Sequence, residues 1–191
     1  MAITQLSATS HYRRMPWKNG RGETIEIAKF PEEAGLDGFD WRISMASVAE
    51  DGPFSSFPAI DRTLAVLTGG GMVLDIEGQG ETVLSIESQP LAFPADVPTS
   101  ARLVAGPITD LNLMTRRSHY AHRMTCVSLP TEHAGIPGGL VFLIVKGEAS
   151  TEGQGFSSTL ADTDALRLTS PDDQVRIEGS GTIYRLEIRS L

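Results

Sequence analysis

The chain has 191 residues, a formal net charge of -8, 40% hydrophobic residues and 21% charged residues. That length allows one large domain or two small, closely packed ones with a genuine apolar core, and the composition excludes wholesale disorder. The acidic balance excludes nucleic acid or an anionic membrane as the main partner, because both call for a basic footprint, but it leaves room for one anion in a locally basic pocket.

The first segment, MAITQLSATSHYRRMPWKNG, lacks the apolar stretch of a secretory leader. The longest apolar run, Leu140–Val145, is far short of the roughly 20 residues that span a bilayer. The single cysteine, Cys126, cannot form an internal disulfide. Together these predict a cytoplasmic protein with no membrane partner.

Along the chain, Trp17-Lys18-Asn19-Gly20 combines an aromatic face, a cation and an amide beside flexible glycines. Such a set can close over a small polar ligand; equally, Trp17 can pin an N-terminal segment in a groove. Gly20-Arg21-Gly22 lacks the lysine and hydroxyl of a phosphate loop. From Trp41 onward the period is two. Trp41, Ile43 and Met45 share one face, with Arg42, Ser44 and Ala46 on the other. Met72–Glu77 and Thr182–Ser190 alternate in the same way, as half-buried strands do. Turn clusters such as Gly69-Gly70-Gly71 and Gly179-Ser180-Gly181 separate these runs, and no long amphipathic helix is visible. The expected fold is all-β: a sandwich, barrel or jelly roll.

A faint internal repeat accompanies the pattern. Val66–Gly69 matches Ile144–Gly147, Leu91–Phe93 matches Leu166–Leu168, and Leu111–Leu113 matches Tyr184–Leu186, 73 to 78 residues apart. Two copies of one β-unit would explain it, with a boundary in the loop-like stretch Ser118–Gly139. The expected halves are 1–117 and 118–191. Of the remaining reactive residues, His119-x-x-His122 reads as an ordinary polar loop and Cys126 as an inert thiol. Arg116-Arg117 reads as a solvated pair, and there is no Gly-x-Ser-x-Gly elbow.

Several blocks resemble the HutD/Ves family of the cupin superfamily. They are Met15-Pro-Trp-Lys-Asn-Gly-Arg-Gly-Glu-Thr24, Phe39-Asp-Trp-Arg-Ile-Ser-Met45, Asp51-Gly-Pro-Phe-Ser-Ser-Phe-Pro58, Asp61-Arg-Thr-Leu64 and Asn112-Leu-Met-Thr-Arg-Arg117. The resemblance implies a bicupin, with two β-barrel-like halves packed together, and an association with bacterial histidine utilisation in a regulatory or sensing role. It carries over no catalytic residues. Cupins usually hold a metal with two histidines and a glutamate from one strand and a histidine from a second signature. On that spacing the four positions fall on Ser56, Pro58, Arg62 and Thr99. A cation stands where the acid should be, so no metal or other cofactor is expected.

If Arg62 takes a ligand position, its side chain points into the protein. A buried guanidinium needs an anion, and its planar fork suits a carboxylate. That anion is either a ligand or an internal partner of the type Arg62–Asp61 or Arg42–Asp40; simple exposure of the arginines is the remaining alternative. The expected ligand-binding set is Trp17, Lys18, Asn19, Arg42, Ser44, Arg62, Thr99 and Asn112. The expected partner is a small anionic metabolite, with urocanate or a formylated glutamate as first candidates from the resemblance. A metal-independent isomerase or lyase and a protein-interaction partner with a vestigial cavity are the alternatives, and a homodimer is left open.

Overall fold

The period-two runs become strands throughout, and no helix is present among the described residues. The structure is a computed structural model that describes residues 3–17, 22–36, 38–153 and 155–191. In chain order the strands begin with β1 (Ile3–Leu6), β2 (Arg13–Pro16), β3 (Gly22–Phe30), β4 (Trp41–Val48), β5 (Gly52–Pro53) and β6 (Ile60–Thr68). There follow β7 (Met72–Ile76), β8 (Gly80–Leu84), β9 (Leu91–Pro94), β10 (Thr99–Leu103), β11 (Ile108–Arg116) and β12 (Tyr120–Ser128). The last are β13 (Thr131–Ala134), β14 (Gly139–Gly153), β15 (Phe156–Leu160), β16 (Ala165–Leu168) and β17 (Gln174–Ser190). None of the described residues forms a helix long and apolar enough to cross a membrane.

Two compact units result: Arg13–Tyr120, and Met1–Tyr12 together with Ala121–Leu191. The expected halves 1–117 and 118–191 differ from this at the N-terminus, because β1 pairs antiparallel with β16. Asp164 fastens that strand. Its carboxylate accepts the Ala8 N–H at 2.8 Å, the Ala161 N–H at 3.1 Å and the Gln5 amide at 3.2 Å. The Tyr12 hydroxyl donates to the Thr163 carbonyl at 2.7 Å, and burial, with the nearby Asp164 charge, pushes its pKa up. The stretch Ser118–Gly139 is not the expected connector either, since it contains β12 and β13. Its glycines and prolines cluster at the turns, while Tyr120–Ser128 alternates as a strand must.

The unit of Arg13–Tyr120 holds a six-stranded sheet, β2-β3-β4-β11-β6-β9, and a four-stranded sheet, β5-β10-β7-β8. Leu64, Val66, Met72, Leu74, Ile76 and Phe93 form its core. Burying each such side chain contributes about 1.5–3 kcal/mol. The other unit has a seven-stranded sheet, β1-β16-β14-β17-β12, with β13 on β17 and β15 on β14. The order β9-β6-β11-β4 in one unit recurs as β16-β14-β17-β12 in the other. The sequence repeat pairs the same strands, β6 with β14, β9 with β16 and β11 with β17. In the long β14–β17 ladder Gly147 faces Gly181, at φ of +120° and +130°. A Cβ at Gly181 would lie 2.0 Å from the Lys146 carbonyl oxygen, so only glycine fits there.

His133 on β13 gives this unit a pH signature. Its Nε2 is buried without a hydrogen-bond partner among the described residues, and burial, with Arg185 nearby, lowers its pKa from 6.5 to about 4. The unfolded chain therefore binds a proton between those values that the folded protein refuses. Stability from this group is present above pH 6.5 and is lost as pH falls toward 4. His133→Gln is expected to flatten that acid limb, measured as the urea midpoint across the same pH range.

Candidate functional site

The candidate site lies on one of two buried faces of the central strands β4, β11 and β6, and strand register assembles it. On β11, Met114 stands opposite Arg42 of β4 on one side and Arg62 of β6 on the other. Asn112 stands between Ser44 and Leu64, and Asp110 between Ala46 and Val66. Because side chains alternate, Asp110, Asn112, Arg42, Ser44 and Arg62 share one face. All five are buried.

A bulge in β3 adds an acid and a further cation. Register shifts between Glu26 and Ala28, so Glu26 pairs with Ser44 while Lys29 pairs with Arg42. Residues three apart normally point to opposite faces of a strand; the extra residue brings both to this one. Glu26 accepts Arg42 Nε at 2.9 Å and Lys29 Nζ at 3.2 Å, with Glu26 and Arg42 side chains only 8% and 6% exposed. One carboxylate thus serves two cations.

Arg62 has no such partner among the described residues. Its guanidinium carbon lies 5.1, 5.5 and 5.8 Å from the ring centroids of Phe54, Phe57 and Phe93. Those rings stabilise the cation through their faces, yet they offer no lone pair to an in-plane N–H. Accordingly Arg62 Nε and, across β11, Arg42 Nη2 are buried without hydrogen-bond partners among the described residues. Burial lowers the Arg62 pKa to about 10, with Asp110 opposing that shift and Arg42 adding to it. Asp110 accepts the Asn112 amide at 2.6 Å. Burial raises its pKa to about 7, against the pull of Arg62, Asn112 and the Ala46 N–H. Among the described residues, buried Arg42 and Arg62 and half-buried Lys29 therefore face two carboxylates, Glu26 and Asp110, the second with its pKa raised by burial. The arrangement is an electropositive face with unused donors, suited to an anion.

The internal pairings weighed as alternatives do not form. Asp61 binds Arg117 at 2.8 Å, and Asp40 binds Arg116 at 3.4 Å and His119 at 2.8 Å. Of the Arg116-Arg117 pair read as solvated, Arg117 is exposed and bridges Asp61 and Asp96, whereas Arg116 is half-buried and donates to the Phe39 carbonyl at 3.0 Å. Thr99, on the other sheet, donates to the Val97 carbonyl at 3.1 Å. The Trp17 indole donates to Thr24 Oγ1 at 2.9 Å, and the Trp17 N–H reaches the Gly22 carbonyl at 2.9 Å, closing the β2–β3 hairpin. Lys18 and Asn19 lie outside the described residues.

Sequence reasoning missed Glu26, Lys29, Asp110 and the three phenylalanines. Asp110 was within reach, two residues before Asn112 on the same alternation. Glu26 and Lys29 were not, since the bulge carries no mark in the residues. A cupin metal does not fit this site. Arg62 is a buried guanidinium at the expected acid position, and no group of three or more His, Cys, Asp or Glu able to hold a metal occurs among the described residues.

Comparison with known proteins places these features in context. The HutD family model matches residues 9–185. The 21.2 kDa protein of the hutC 3′ region in Pseudomonas putida is 35% identical over the whole of both chains. Protein Ves of Citrobacter koseri is 39% identical over 69% of this chain and 70% of its own. The structure of HutD from Pseudomonas fluorescens SBW25, in a formate condition, has a TM-score of 0.83 at 32% identity, covering both chains fully. In fold alone, the cupin 2 conserved barrel domain protein of Leptotrichia buccalis gives a TM-score of 0.60 at 13% identity, covering 97% of this chain and 100% of its own.

Proposed function

The chain belongs to the HutD family, and from that premise we propose that it is a metal-free binding protein for a small carboxylate metabolite, acting as a cytoplasmic sensor or regulator in histidine utilisation. The carrying observation is the pair of buried, unpartnered donors, Arg62 Nε and Arg42 Nη2, on a face where cations outnumber carboxylates. An unpaired buried charge is destabilising, and a bound carboxylate relieves it by bridging the two guanidinium edges. The recurring strand order supports reading the two units as cupin-like halves of a bicupin. The hutC-region relative and the family name support a place in histidine breakdown, which makes urocanate and N-formyl-L-glutamate the first ligands to try.

The test is a thermal-shift screen followed by calorimetry with these two acids and their neutral amides. The expected outcome is saturable, one-to-one binding of an acid and none of its amide. A ligand at a hundred times its Kd raises stability by about 2.7 kcal/mol, a shift such a screen resolves. Absence of any carboxylate-dependent shift would overturn the reading. One observation favours a second reading, a metal-independent isomerase or lyase: Asp110, with a pKa raised to about 7, is able to exchange a proton near neutrality. Conversion of the bound acid, followed by NMR, separates the two.

A further inference from the structure

We propose that the anion and a proton enter this cluster together, the anion against the free edges of Arg42 and Arg62 and the proton onto Asp110. The inference rests on the carboxylate-binding reading and adds its regulation: Asp110 makes affinity depend on pH.

The geometry carries it. Asp110 is 1% exposed, with a neutral amide on Oδ1 and the Ala46 N–H as its other donor. No ion pair to it occurs among the described residues. Among the described residues, the charged groups on its face are Glu26 and Lys29 of β3, Arg42 of β4 and Arg62 of β6. Arg13 of β2 stands opposite Glu26 but is exposed. Glu26 already engages Arg42 and Lys29, so Arg62 is the cation whose field reaches Asp110. An anion on Arg62 neutralises that field and brings a second negative charge to a face shielded from water. Two carboxylates close together in such surroundings do not both stay ionised. The ligand has the buried guanidinium donors, whereas Asp110 has only an amide and one backbone N–H, so the proton goes to Asp110. Its pKa of about 7 in the free protein puts the exchange near neutrality, and the bound anion moves it upward. Affinity is then independent of pH below that value and falls about tenfold per pH unit above it, until the bound-state pKa is reached.

Formate is a suitable probe: it is small, and it stays ionised throughout. The Asp110 carboxyl 13C signal, assigned with Asp110→Asn, is titrated over about pH 5 to 9 in saturating sodium formate and in sodium chloride of equal ionic strength. The Arg62 Nε–H signal reports occupancy. The expected result is an Asp110 midpoint at least about one unit higher in formate, with formate affinity falling above neutrality in wild type and staying flat in Asp110→Asn. If formate shifts the Arg62 signal while the Asp110 midpoint stays put, the proton linkage is wrong and the binding reading stands. If formate leaves the Arg62 signal unmoved at every pH, both fall.

Discussion

Arg62→Met is expected to abolish carboxylate binding and to leave the unfolding midpoint unchanged or raised. Losing a charged, hydrogen-bonded contact should weaken binding by about 2 to 5 kcal/mol, which is about 30-fold to several thousand-fold in affinity. The fold should tolerate the change because opposing effects nearly cancel. The variant loses the attraction of three phenylalanine rings for the cation. It also loses a buried charge with an unpaired Nε and its repulsion from Arg42. Methionine fills much of the volume, and its sulfur packs well against aromatic rings. Calorimetry with the same acid on both proteins, alongside a thermal melt, decides the matter. Equal affinity would make Arg62 a structural residue and would sink the proposed site.

Glu26→Gln is expected to have the largest effect on stability, a loss of about 3 to 5 kcal/mol. The substitution keeps the shape of the side chain and removes the one carboxylate that accepts both Arg42 and Lys29. Arg42 cannot reach water, being 5% exposed, and it would share its surroundings with Arg62 and no ionised acid but Asp110. Adding Arg42→Met should restore most of the loss, because the stranded charge leaves with it. Urea unfolding of the single and double variants with an unchanged m-value measures this. A Glu26→Gln protein as stable as wild type would mean that the cluster is far more hydrated than its burial implies.

The two effects bear on one question, whether this face holds charge for stability or for a ligand. Glu26 holds Arg42 through its Nε and belongs to the fold, while Arg42 Nη2 stays open among the described residues. Arg62 is caged by rings and left unpaired, which natural cores rarely tolerate without use. The opposite pH signatures of Asp110 and His133 follow the same physics: burial disfavours the charged form of each, so the acid's pKa rises and the base's falls.

Alternation in Trp41–Ala46 was enough to predict a strand, and it put Arg42 and Ser44 on one face because a strand's side chains have a period of two. The glycine and proline clusters marked turns, and the blocks around Asp51–Pro58 and Asn112–Arg117 pointed to the family. Local sequence could not say which strands would be neighbours. Register across β4, β11 and β6 brought Arg42, Arg62, Asn112 and Asp110 to one face, and pairing of that kind depends on contacts far apart in the chain. The same holds for β1, which joins β16 across most of the sequence. The partner of Arg42 turned on a single extra residue in β3, which rotated Glu26 and Lys29 onto its face. The electrostatics of the site come last in that chain of dependence: a carboxylate's charge state near neutrality is set by the water it has lost and the cations around it, and only the folded arrangement decides both.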